Sequence, residues 1–299
     1  MPARAAVVVL LIAGLGCAHR PATPPSPEVA MVRLESELAA LAVGSSDLLS
    51  HEPQLRMLAL DLHREARALG GSTEAAARYA LADRAYALYF RHFDGHPHST
   101  EVRYAYAELL YKLKRYDAAY THYMDVVAAD PAGRRARFCA ESAVHAAKAQ
   151  LKLERSAGRA SLPERGSLDP VGPSPWDDKL QAALAQYIEA WPADPKVQSL
   201  AYASAWNHYE LNQFDAAAPV FERAIAAEPS TRIAEQAANL VLDSFVLRKD
   251  YVGLLDFANA LLAIDGLGSP AFRAELRIIR QRAAEAATAR EQGPAPIEE

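Results

Sequence analysis

WDDKLQAALAQYIEAWPADP (residues 176–195) and QFDAAAPVFERAIAAEP (residues 213–229) are two copies of one helical unit held in a fixed register. Ala183, Tyr187, Ala190 and Pro195 return as Ala217, Phe221, Ala224 and Pro229, each 34 residues further on. A small residue, an aromatic four positions later and a second small residue three beyond that share one face of a helix. The small side chains let a neighbouring helix approach closely, the aromatic wedges between neighbours, and the proline stops the helix. The same interval of 34 separates Ala85, Tyr89 and Pro97 from Ala119, Tyr123 and Pro131. A unit that recurs on both sides of the chain's middle predicts a stack of like helix pairs. Ala183, Ala190, Ala217 and Ala224 are expected to be buried at the helix contacts.

One whole pair is legible in RYAYAELLYKLKRYDAAYTHYMDVVAADP, residues 103–131. Its first helix ends near Lys112, a short turn holds Lys114 and Arg115, and Tyr116-Asp117 opens the second helix. This pairing and the 34-residue period resemble the tetratricopeptide repeat family over roughly Thr73 to Ile264. The resemblance implies an all-α fold: a right-handed α-solenoid of antiparallel helix pairs, tetratricopeptide-like, with degenerate terminal repeats. In that family an aromatic-plus-Asp pair packs the start of the second helix. Phe214-Asp215 and Tyr251 with Asp250 look like further copies. The glycine that the family carries before this turn is replaced by Lys114 and Asn212. Asparagine tolerates left-handed geometry, and lysine tolerates it less.

Helices fill most of the remaining chain. They are expected from about Val29 to Ala42, from Glu52 to Leu69 with Gly70-Gly71 as its stop, and from Thr73 to Phe93. Arg135 to Leu153 opens a further pair. It is followed by ERSAGRASLPERGSLDPVGPSP, residues 154–175, with four prolines and three glycines where a short turn would suffice. Such a segment reads as a flexible insertion or as a loop that touches a partner. Beyond Pro229, helices are expected over Arg232 to Arg248, Tyr251 to Ile264 and Pro270 to about Glu291. The last keeps Leu276 and Ile279 on one face and is otherwise charged or alanine, which suits the open end of a solenoid. The helical array thus covers 29–292, and 293–299 is a disordered tail.

The chain has 299 residues, of which 51% are hydrophobic, and Lys+Arg 32 against Asp+Glu 37 leaves a net charge of −5. No long run of either sign occurs, so neither nucleic acid nor an acidic membrane surface is expected as the main partner. Residues 1–16 read as a signal peptide: Arg4 precedes the apolar run AAVVVLLIAGLG, which is too short to span a bilayer. Gly16 before Cys17 makes the run resemble a bacterial lipoprotein signal, although Gly14 and Leu15 stand one position off that family's pattern. The resemblance implies a lipidated Cys17, with residues 17–28 as a proline-rich tether. Ala18 lacks the acidic character that resembles inner-membrane retention, which points to the periplasmic face of the outer membrane. An ordinary cleaved signal or a short anchor is the competing reading. Cys139 then stands alone, so no internal disulfide is expected, and its alanine-rich helix makes it a small buried residue.

Chemistry-bearing motifs are absent: there is no H-E-x-x-H, G-x-S-x-G, phosphate loop or C-x-x-C. The densest set of ligand types, His92, Asp94, His96 and His98, reads as an exposed loop between helices. No catalytic residue, metal or cofactor is therefore expected. A binding surface has better support. In tetratricopeptide proteins the first helix of each pair lines a concave groove that receives a peptide or a helix. Tyr202, Trp206 and Tyr209 fall on one stripe at i, i+4 and i+7, opposite Ala201, Ser204, Ala205 and His208. Tyr104, Glu108, Tyr111 and Lys112 hold the corresponding face of an earlier repeat. Large aromatics with a polar edge are good anchors for a protein ligand. The competing reading makes the stripe part of the core.

The runs ASAWNHYELNQFDAAAPVFERAIAAEP (203–229) and AEQAANLVLDSFVLRKDYVGLLDFANALL (234–262) resemble the envelope tetratricopeptide proteins of myxobacterial gliding-motility machinery. That resemblance implies a lipid-anchored adaptor that binds envelope proteins, meets the membrane through its lipid alone, and binds no nucleic acid. Secretin pilotins and barrel-assembly accessory lipoproteins share the architecture. An α-helical enzyme built on such repeats is the alternative from another class, and it would need ionisable groups converging in a pocket.

Overall fold

A computed structural model of the protein describes residues 25–42 and 45–291. The expected signal peptide, Cys17, most of the tether and the tail 293–299 lie outside the described residues. Thirteen helices and no strand occur among the described residues. They are α1 (Pro27–Ala39), α2 (Ser46–Ser50), α3 (Glu52–Ala68), α4 (Thr73–Phe93), α5 (Ser99–Lys112), α6 (Tyr116–Ala129) and α7 (Ala136–Ser156). There follow α8 (Pro175–Ala190), α9 (Val197–Glu210), α10 (Phe214–Ala227), α11 (Arg232–Arg248), α12 (Tyr251–Ala263) and α13 (Pro270–Glu291). α1 begins two residues before the expected Val29, because Ser26 caps it and places Pro27 and Glu28 in its first turn.

From α3 to α12 the helices pack as antiparallel pairs, and each pair stacks on the next. First helices also touch across pairs, α3 with α5 and α9 with α11, so the odd-numbered helices share one side of the stack. Side-chain oxygens of Ser26, Ser45, Ser72, Ser174 and Thr231 accept backbone N–H bonds at helix starts. α1 closes the N-terminal end: Met31, Leu34 and Leu38 bury one face, while Arg78–Glu28 and Arg84–Glu35 pairs tie it to α4. α13 closes the other end through Phe272, Leu276 and Ala283.

The repeat register corresponds to the packing. Ala85, Tyr89, Ala119, Tyr123, Ala183, Tyr187, Ala217, Phe221 and Ala224 are all at most 1% exposed. Ala190 is the exception and lies exposed. It is the last residue of α8, where the backbone departs at Trp191 (φ −133°, ψ 62°), and the Trp191 ring packs on Tyr187. The indole one residue later is partly buried against the N-terminal core cluster. At the turn inside each pair the chain needs a left-handed residue. Lys114 (φ 60°), Asn212 (φ 55°) and Lys249 (φ 56°) provide it, at a cost a glycine would not incur.

The segment 154–175 has defined ties to the array. Residues 154–156 continue α7, and 157–174 run as a strap hydrogen-bonded to the turn that follows α9. Val171 N–H donates to Leu211 O (2.9 Å) and Gln213 Nε2 donates to Val171 O (2.7 Å). Asn212 Nδ2 reaches Ser167 O (2.9 Å) and Asp169 O (3.3 Å). Ala160 is buried against α7 and α8. These ties join backbone groups to a helix end far away in sequence, so no apolar periodicity announces them.

Candidate protein-binding groove

The side shared by the first helices carries a row of depressions. One lies between α3 and α5, lined by His63, Arg67, Glu108, Tyr111 and Lys112. The next lies between α5 and α7, lined by Tyr111, Tyr123, Phe138, Ser142 and His145. A third, of about 640 Å³, lies between α7 and α9 with Leu180 of α8 in its floor. Of the expected site residues, Glu108, Tyr111 and Lys112 line the depression between α3 and α5, and Tyr202 and Trp206 that between α7 and α9.

On α5, Tyr104 is half-buried, edge-on to Phe138 and beneath the Arg135 guanidinium at 4.1 Å. Glu108 accepts a short hydrogen bond from the Tyr123 hydroxyl of α6. Burial and that carboxylate together push the Tyr123 phenol well above the usual tyrosine range. Glu108 thus joins the two helices of its pair as well as lining the groove. Tyr111 (37% exposed) and Lys112 reach solvent directly.

On α9 the rings of Tyr202, Trp206 and Tyr209 form a ladder, Trp206 lying 6.4 Å from Tyr202 and 5.9 Å from Tyr209 with interplanar angles of 15° and 21°. The outer rungs lean into the core: Tyr202 meets Phe221 at 5.5 Å, and Tyr209 meets Phe214 at 5.2 Å. Trp206, 39% exposed, faces outward most fully and lines both the α7–α9 cavity and a smaller one against Leu162, Pro163 and Gly166 of the strap, while half-buried Tyr202 shares the first and half-buried Tyr209 the second. The stripe therefore divides between the two readings, with core-anchored tyrosines flanking an exposed indole. Ala201 and Ala205 on the opposite face are buried, as close packing requires.

Sequence reasoning missed the polar half of this cavity. Arg155 of α7 donates to Asp177 Oδ1 (3.1 Å) and Glu210 Oε2 (2.9 Å), which fixes α7 against α8 and α9. Asn207 donates to Asp177 at 2.7 Å, and Gln181 Nε2 donates to Asn207 Oδ1 at 3.0 Å. Burial pushes Asp177 up, but the bonds from Ser174 and Asn207 and the Arg155 charge outweigh it and hold the carboxyl below its usual range. Lys148 and Lys152 stand on the same wall one turn apart. Lys148 is exposed to solvent, yet the protein packed around its ammonium draws it down, with Glu210 opposing. The i, i+4, i+7 spacing of Lys148, Lys152 and Arg155 was visible in the sequence, as was the aromatic stripe of α9, but not that the two line one cavity.

Other candidate chemistry does not assemble. Among the described residues no group of three or more His, Cys, Asp or Glu could hold a metal ion. His96 turns toward Glu52, which is buried and also accepts from Tyr89 and Arg56. Cys139 is fully buried, and burial pushes its thiol up to about 12, so it is not a nucleophile.

No curated protein matches this chain in sequence. Similar solved structures include a thermophilic TPR protein of Thermus thermophilus (16% identity, TM-score 0.30, 77% of this chain and 100% of that one). A tetratricopeptide repeat protein of Parabacteroides merdae is similar at 11% identity and TM-score 0.39, over 77% of this chain and 76% of that one. The TPR-like repeats of a kinesin light chain from Podospora anserina give 10% identity and TM-score 0.40 over 81% and 99%. Residues 100–132, which are α5 and α6 with their turn, match the tetratricopeptide repeat model, and the array built around them is a tetratricopeptide-like solenoid.

Proposed function

We propose that this chain is a non-enzymatic, protein-binding scaffold whose partners dock along α5, α7 and α9. The observation that carries this reading is Trp206. Its indole is exposed between two cavities, yet it is held rigid by flanking tyrosines that are themselves locked to Phe214 and Phe221. A rigid, half-exposed aromatic in a concavity resembles the anchors that dominate protein interfaces. Its position against the strap makes groove and insertion one surface. The hydroxyls of Ser156 and Ser199 in the cavity donate to backbone carbonyls of Lys152 and Lys196 and to no side-chain base, which supports the binding reading.

The apolar leader ending at Cys17 and the prolines after it support lipid anchoring at the periplasmic face of the outer membrane. The partners would then be envelope proteins, and the service an assembly role in an envelope complex such as gliding-motility machinery. A pilotin or barrel-assembly accessory role uses the same surface. The test is Trp206→Ala, assayed by recovery of envelope partners and by thermal stability. Losing the anchor should cost at least ~2 kcal/mol of binding, roughly thirtyfold, with the fold retained. Full recovery of partners by the intact variant would refute the groove.

A further inference from the structure

The cavity between α7 and α9 has two unlike walls. The α9 wall is aromatic, with Tyr202 and Trp206, above a floor of Leu151 and Leu180. The α7 wall is cationic, with Lys148, Lys152 and Arg155 against the single carboxylate of Glu210. Arg155 is already engaged by Asp177 and Glu210. Among the described residues, no carboxylate reaches ion-pair distance of Lys148 or Lys152, and both are exposed. In a chain whose net charge is −5, this local excess of positive charge beside an exposed indole is a feature of the cavity and not of the composition.

The spacing says what fits. Residues four apart on a helix rise ~6 Å along its axis. Alternate residues of an extended peptide lie ~6.6–7 Å apart on one side, while the residue between them points to the other. An extended segment laid along α7 would set two carboxylates against Lys148 and Lys152 and turn the intervening side chain onto Trp206. We infer that the α7–α9 cavity selects an extended acidic segment of a partner protein in which Glu or Asp alternates with a bulky apolar residue. This selectivity rests on the scaffold reading above and narrows it to a ligand chemistry. Opposite charges steer such a segment in, and the aromatic contact retains it. A basic segment of the same shape meets like charge on α7.

The experiment titrates the full chain into fluorescein-labelled ten-residue peptides and reads anisotropy. The peptides carry Glu-Phe-Glu, Gln-Phe-Gln, Lys-Phe-Lys or the rearranged Phe-Glu-Glu between Gly-Ser flanks. Glu-Phe-Glu should bind at least ~10-fold more tightly than Gln-Phe-Gln or Lys-Phe-Lys, with an advantage that shrinks as salt rises. The rearranged peptide should be weaker. The double variant K148E/K152E changes two exposed side chains, keeps its circular dichroism spectrum, and should reverse the preference toward Lys-Phe-Lys. Trp206→Ala should weaken every peptide alike. Equal binding of Glu-Phe-Glu and Gln-Phe-Gln, both lost in Trp206→Ala, would overturn the charge selectivity and leave the groove standing. Preference unchanged in K148E/K152E, or no binding of any peptide at millimolar protein, would overturn the inference. The scaffold reading is then judged separately by partner recovery.

Discussion

Ala190 and Ala224 occupy the same position of the 34-residue register, yet one is exposed and the other fully buried. Replacing each by Leu therefore separates pattern from packing. In Ala224→Leu the added isopropyl group has no free volume to enter, and α10 must shift. That shift would also pull on the Gln198 amide, whose Nε2 donates to Ala224 O (3.0 Å) and Glu228 O (2.9 Å). Overpacking of this kind costs ~1–3 kcal/mol, and straining a buried amide bond adds about 1 kcal/mol. For a chain of this size each kcal/mol lowers the melting temperature by about 2–4 °C. Ala224→Leu should therefore melt several degrees below the parent by circular dichroism. Ala190→Leu, at an exposed helix end, should stay within about 0.5 kcal/mol of the parent. Parental melting of Ala224→Leu, or an equal loss in both variants, would refute the argument.

Three further expectations follow from individual residues. Burial, with Arg67 adding repulsion, holds His63 down to about 4 against 6.5 in the unfolded chain. The unfolded state therefore protonates first, so this contribution is whole above pH ~6.5, is lost between about 6.5 and 4, and amounts to about 3 kcal/mol at most. His63→Gln, which keeps a partner for the Tyr86 hydroxyl, should flatten that acid slope in denaturant titrations, and an unchanged slope would rule the assignment out. Asn212→Gly keeps the left-handed turn but frees the strap, while Asn212→Ala also strains the turn. Both should speed proteolysis within 157–174, and the Ala variant should be less stable than the Gly variant by ~1 kcal/mol or more; parental proteolysis in both would contradict the strap. Cys17→Ala should move the protein from the membrane to the soluble periplasmic fraction, and continued membrane association would exclude lipid anchoring.

The helix pairs were legible because their determinants are local. Alanine and aromatic spacings set which face of α4, α6, α8 and α10 is buried, and prolines and serine caps set where helices end. Even the left-handed turn positions at Lys114 and Asn212 could be placed, since the repeat imposes the backbone there whatever residue fills it. Ala190 was misplaced because its fate depends on where α8 ends, and it is the last residue of that helix. The ties of the strap were not legible because they join Ser167, Asp169 and Val171 to Leu211, Asn212 and Gln213, forty or more residues away. The aromatic stripe on α9 was evident in sequence, but whether each ring faced core or groove was a matter of what α10 placed beneath it. Sequence periodicity is thus enough to specify a stack of helices, because burial within a helix pair follows from its own residues. Which side chains meet across the groove, Lys148 and Lys152 facing Trp206, is decided only when separate pairs stack, since neither α7 nor α9 carries in its own residues what will stand opposite.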